Sequence, residues 1–176
     1  IKPSNDKNHR LSRHAYIRGW AATSTLWSKY NTYISEERIE KFLRKSKQDK
    51  KYKKYIKFIC DKCRLTNGGL IDTWDYQLSF LLLEQNILNI VPSKSLAANI
   101  GFDQDATHTK EKRPSYAKKF HKEIKFDEYI DINLIDFEAD QAVERLIYIP
   151  GIRKKITRKI YKWLNILYAT ILKVKN

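Results

Sequence analysis

At 176 residues the chain has the length of one domain, enough to bury a hydrophobic core. Hydrophobic residues make up 42% and charged residues 31%, a globular balance that argues against wholesale disorder and fibrous repeats. The 35 Lys and Arg against 20 Asp and Glu leave a formal charge of +15, which points to nucleic acid or an anionic membrane as partner unless the excess is only a solvated face. Much of that excess is lysine and comes with abundant Ile, Asn and Tyr, residues of AT-rich codons, so composition alone leaves both readings open.

No run approaches the roughly 18 to 20 apolar residues of a membrane span, and no apolar segment follows a basic start as in a signal peptide. The chain starts at Ile1 and contains no methionine, so residues are expected upstream of it. Cys60 and Cys63 form one CxxC without a second Cys pair or a His at zinc spacing, which reads as two reduced thiols, buried or half-exposed, in a cytosolic protein.

In chain order, residues 1 to 14 carry no period and read as an irregular arm. The spacing of Trp20, Thr23, Trp27 and Tyr30 predicts a short helix entered through Gly19. Ser35 with Glu36 and Glu37 is an N-cap with an acidic first turn, so a second helix is expected to about Lys47. A third, basic from Lys47 to Lys57 and apolar through Tyr52, Tyr55, Ile56, Phe58 and Ile59, should stop at Asn67-Gly68-Gly69. Thr73 can cap a fourth helix, Trp74 to Gln85, with Trp74, Leu78, Leu81 and Leu82 as its buried stripe. Ile87–Val91 and Ser95–Ile100 read as two short strands around Pro92, Gly101–Pro114 as a loop, and 122–136 as one more strand. Asp136–Ile147 is a modest helix, and Pro150-Gly151 sets off a last one over 152 to about 173.

The chemistry-bearing residues concentrate between Ile71 and Thr109. Asp75 at a helix N-terminus is a carboxylate stabilised by first-turn N–H groups beside the ring of Trp74. On residues alone, this is either a reactive group on an aromatic platform or a cap pair next to a core tryptophan. His108 in a polar loop is a ligand, a phosphate contact or merely solvated.

Thr73-Trp74-Asp75-Tyr76-Gln77, followed about 25 residues later by Asn99-Ile100-Gly101-Phe102 and Asp105-Ala106-Thr107-His108-Thr109, resembles the TWDYQ and NIGFxxDATHT signature of bacterial GT-A-fold, family 2-like nucleotide-sugar glycosyltransferases, often labelled hemolysin-like. Arg18-Gly19-Trp20-Ala21-Ala22-Thr23 through Trp27 and Tyr30 is similar to the family's WGWATWxxxWxxYD, with two aromatic positions changed. The likeness spans roughly residues 14 to 112. It implies that Asp75 is the general base on the acceptor hydroxyl of an inverting enzyme. Trp74 and Trp20 would flank the acceptor sugar, Gly19 would let the backbone approach it, and Gln77 would join the substrate site. His108 would approach a divalent metal (Mn or Mg) or the diphosphate, and Lys110, Lys112 and Arg113 would neutralise the departing diphosphate. Trp20, Trp74, Asp75 and His108 are thus expected to line one concavity.

The family's nucleotide-binding half, which ends in an Asp-x-Asp metal motif, has no counterpart ahead of Arg18, and Asp103-Gln104-Asp105 falls in the downstream loop instead. The expected fold is therefore α/β, mostly helical with a few short strands. Residues 1–136 would form the acceptor-side part of a GT-A domain, with the metal held mainly by a part absent from the chain, and residues 137–176 a helical extension. Alone, such a chain should not catalyse transfer. In the extension, Ile152, Ile156, Ile160, Trp163, Leu164 and Leu167 recur on one face of a helix whose other faces are basic, a pattern that fits a helix in the interface of an anionic bilayer or one packed on its own domain.

The sequence thus predicts a transferase of bacterial surface-polysaccharide synthesis, cytoplasmic or peripheral on the inner face of the cell membrane. It would pass a sugar from a nucleotide-sugar donor to a glycan or lipid-linked acceptor with inversion. The competing readings are a basic nucleic-acid-binding module built on Lys47–Lys57 with its tyrosines, which carries no recognised motif, and a membrane-docking domain without chemistry.

Overall fold

A computed structural model of the chain describes residues 8–17, 19–97 and 135–145. Over these residues the protein is α/β and mostly helical, in the order β1 (His9–Ser12), α1 (Ser24–Trp27), α2 (Glu36–Lys45), α3 (Lys53–Asn67), α4 (Asp75–Glu84), β2 (Asn89–Pro92) and α5 (Phe137–Val143).

The three central helices follow local signals. Ser35 caps α2 by accepting from the Arg38 amide at 3.3 Å, with Glu36 and Glu37 in the first turn and Arg44 and Lys45 in the last, the favourable order for the helix dipole. α3 buries Tyr55, Ile56, Ile59, Cys60 and Cys63, a stripe at helical spacing. Its start lies at Lys53 and not at Lys47. Ser46–Gln48 forms a 3-10 turn, and the Asp49 carboxylate then accepts from the Tyr52 amide at 3.1 Å, so Asp49 breaks the run as a local cap. Its end is the expected one: Gly69 takes φ +70°, and Leu70 N–H reaches back to the Leu65 carbonyl at 2.9 Å. α4 is buried on nearly every side from Gln77 to Leu83, and Asn86 ends it at φ +54°. Ile34, Ile39, Phe42, Tyr55, Ile59 and Phe80 knit α2, α3 and α4 into the main core.

Other expectations need correction. Residues 9–12 are not an irregular arm but the strand β1, buried at every position, which pairs antiparallel with β2 in the register His9↔Pro92 to Ser12↔Asn89. On its other side Leu11 makes a parallel bridge with Ile135, which lies near the end of the strand expected over 122–136. β2 therefore pairs with β1, and Ser95–Ala97 are irregular instead of strand; residues 98–100 lie outside the described set. The helix expected from Trp20 to Tyr30 is the single turn α1, because Thr23 stays extended and caps it by accepting from the Leu26 amide at 3.2 Å. α5 lies within the helix expected over Asp136–Ile147 and is capped by the Asp136 carboxylate. The expected loop Gly101–Pro114 and the helix over 152–173 lie outside the described residues.

Cys60 and Cys63 are fully buried free thiols, Cys63 donating to the Tyr76 carbonyl at 3.5 Å, and burial pushes both up to about 12. Iodoacetamide at pH 8 should accordingly leave both unlabelled in the native protein and modify both once it is unfolded; rapid native labelling would contradict this packing. Because the folded thiols hold their protons to higher pH than unfolded ones, this contribution to stability is complete below about pH 8.5 and is lost as pH rises from there towards 12. Burial also raises the Tyr16 and Tyr52 hydroxyls, so the melting temperature should fall progressively on the alkaline side.

Candidate functional site

The expected site residues Trp20, Trp74 and Asp75 come together on the surface beside α1 and the start of α4. Trp20 and Trp74, from segments more than fifty residues apart, have ring centroids 5.4 Å apart and tilted by 35°. Trp27 joins them, 5.6 Å from Trp20 and 6.3 Å from Trp74. Tyr30 stacks flat on Trp27 at 4.8 Å and donates its hydroxyl to the Trp74 carbonyl at 3.1 Å. The three tryptophans remain 36%, 45% and 40% exposed, so aromatic faces stand open to solvent in one group. Trp74 is therefore not the buried member of the α4 stripe that the spacing predicts; it occupies the N-cap position, one residue before the helix turns its apolar side inward.

Asp75 is the first residue of α4 and is half-buried. Thr73 does not cap the helix as expected. Its hydroxyl donates instead to one oxygen of the Asp75 carboxylate, and the other oxygen has no protein hydrogen bond among the described residues. The carboxylate thus lies at the positive end of the α4 dipole, where negative charge is stabilised. Tyr30 and Tyr76 hold their phenolic protons above the usual range, first through burial and then through the negative charge of Asp75.

Gln77 and Gly19 occupy different settings. Gln77 is only 2% exposed, and its amide donates to the Thr32 carbonyl at 3.0 Å, so its side chain braces the segment ahead of α2 from inside. Gly19 takes φ +62°, and a Cβ there would stand 3.0 Å from that of Ala97, so the close approach its lack of a side chain permits is to the chain after β2. A small open cavity of about 40 Å³ is lined by Tyr16, Ile17, Trp20, Leu78 and Asn89 among others, with room for little more than water. Trp20 borders it, while Trp74 and Asp75 are not among its lining residues. His108, Lys110, Lys112 and Arg113 lie outside the described residues. Among the described residues no group of three or more His, Cys, Asp or Glu could hold a metal ion, so they do not supply the site that a divalent metal would need.

A second polar cluster escaped the sequence reading. Asp140 of α5, fully buried, accepts from Arg10 at 2.7 Å and Ser12 at 2.5 Å on one oxygen, and from the Arg13 amide and the Tyr52 hydroxyl, both at 3.0 Å, on the other. His14 lies between α5 and α3, with Nε2 3.3 Å from Glu144 and its ring 4.1 Å from that of Tyr55. Ser12, His14 and Asp140 are closed to solvent, so this cluster ties α5 to β1 and offers a substrate no access among the described residues. It also places α5, the segment just beyond residue 136, in the same packed unit as β1 and α3.

No protein-family model, no curated protein and no solved structure matches the chain.

Proposed function

We propose that the chain is the acceptor-side half of an inverting, GT-A-type glycosyltransferase that uses a nucleotide-sugar donor and a glycan or lipid-linked acceptor. The observation that carries this reading is the meeting of the exposed rings of Trp20 and Trp74 at 5.4 Å, with Asp75 following Trp74 directly in the chain as the first residue of α4. Pyranose rings present C–H faces that pack on aromatic rings, and an acceptor seated there would hold a hydroxyl near Asp75. In the transfer step that hydroxyl oxygen bonds to the anomeric carbon, its proton passes to Asp75, and the bond from the anomeric carbon to the diphosphate breaks, leaving a nucleoside diphosphate. A divalent metal would neutralise that leaving group when bound. Lys110, Lys112 and Arg113 are assigned to the same charge by the resemblance alone.

The nucleic-acid reading is weaker in one specific respect. Tyr52 and Tyr55, the rings it needs for base stacking within Lys47–Lys57, are buried, and the Tyr52 hydroxyl is bound to Asp140.

The aromatic face gives a direct test. Saccharide titration followed by tryptophan fluorescence should show saturable quenching with candidate acceptor glycans. Trp20→Ala and Trp74→Ala should each weaken it roughly tenfold, the worth of about 60 Å² of ring face at about 25 cal/mol per Å². A chain that binds no glycan, in a full-length protein that also turns over no nucleotide sugar, removes the proposal.

A further inference from the structure

Part of the charge excess lies on one exposed turn of the described structure. Over the end of α2, the 3-10 turn and the start of α3, Arg44, Lys45, Lys47, Lys50, Lys53 and Lys54 are all exposed, and none makes an ion pair among the described residues. The one acidic residue in the stretch, Asp49, is bound by Arg13, and neighbouring Lys51 lies over the Phe137 ring at 5.1 Å. Arg44 and Lys45 suit the C-terminal end of α2, but the fold makes little use of the four lysines that follow. They repel one another, and Lys53 and Lys54 open α3, whose first turn holds no acidic residue, at the positive end of the helix dipole, where cations are unfavourable.

Such an arrangement fits an extended anionic partner, and the surrounding chemistry distinguishes between two. A single-stranded nucleic acid would need exposed rings, but Tyr52 and Tyr55 are turned into the core. Five of the six cations are lysines, which act on phosphate as point charges and lack the planar fork with which Arg reads bases and grips phosphate bidentately. Clustered lysines on an exposed turn suit the diffuse negative potential of a lipid surface, where each contributes about 1 kcal/mol.

We infer that the α2–α3 turn is a docking surface for an anionic phospholipid bilayer. This does not depend on the transferase reading, and it assigns the contact to a part of the chain other than residues 152–173. The full chain should sediment with phosphatidylglycerol-containing vesicles at low salt and not with pure phosphatidylcholine vesicles. Changing Lys47, Lys50, Lys53 and Lys54 together to Gln should lower the vesicle partition coefficient by roughly 10² to 10³, with an unchanged circular dichroism spectrum. Trp163→Ala, made alongside, reports on the C-terminal segment. The inference is overturned if the unmutated chain fails to sediment with anionic vesicles or if the fourfold variant binds them within about threefold of it. It is equally overturned if the unmutated chain prefers a duplex oligonucleotide to the vesicles at equal phosphate concentration.

Discussion

If Asp75 is the base of the proposed transferase, sugar transfer by the full-length protein should fall by roughly 10² to 10⁴ when it is changed to Asn, the range that general-base catalysis supplies. The substitution suits the question because it preserves shape. Asn keeps an oxygen to accept from the Thr73 hydroxyl, stays compatible with the first turn of α4, and leaves Tyr30 bonded to the neighbouring Trp74 carbonyl. What it loses is the capacity to take up a proton on the open side. Glycan binding on the tryptophan face should therefore survive while kcat drops, whereas Trp74→Ala should act chiefly on binding. Turnover of Asp75→Asn within about threefold of the unmutated protein would remove Asp75 as the proposed base. A parallel loss of stability would instead assign Asp75 a structural role at the start of α4.

The largest effect on stability is expected at Asp140→Ala. That side chain accepts four hydrogen bonds in a site closed to water, and its removal leaves the Arg10 guanidinium, 4% exposed, with only the Tyr16 hydroxyl at 2.5 Å among the described residues and takes away the acceptor of the Ser12 and Tyr52 hydroxyls. Removing one partner of a buried pair typically costs about 3 to 5 kcal/mol, because the remaining charge is uncompensated, and replacing both partners by apolar residues can cost far less. Urea denaturation of Asp140→Ala, Arg10→Met and the double variant Arg10→Met with Asp140→Leu separates these terms. The single changes should be severe and the double change should recover a substantial part. Single variants within about 1 kcal/mol of the parent would mean that α5 does not hold β1 through this pair.

The sequence by itself determined the elements whose instructions lie within a turn or two of the residue concerned. Ser35 with Glu36 and Glu37 starts α2, the Asn67-Gly68-Gly69 stop ends α3, Asn86 ends α4, and the 3.6-residue spacing of Tyr55, Ile56, Ile59 and Cys63 marks the face of α3 that is buried. It also brought Trp20, Trp74 and Asp75 forward together, though through motif resemblance and not through any local pattern. The start of α3 was misjudged because Asp49 outweighs helix propensity through one side-chain bond to the Tyr52 amide, a competition that composition does not weigh.

Tertiary structure alone decided the rest. His9, Arg10 and Ser12 look like the polar residues of a surface arm, and they can lie in a buried strand only because β2, eighty residues on, and Ile135 flank it. Asp140, some 130 residues away, satisfies Arg10 and Ser12 there. Nothing near residue 10 in the chain encodes that carboxylate, and without it the burial of Arg10 would be prohibitive. The same holds for the site. Helical spacing placed Trp74 in the core, but Tyr30 bonds its carbonyl and the rings of Trp20 and Trp27 lie against it on the outside, so an aromatic face meets solvent beside Asp75. Periodicity identifies which residues share one side of a helix, whereas contact across distant segments decides whether that side meets the core or the solvent.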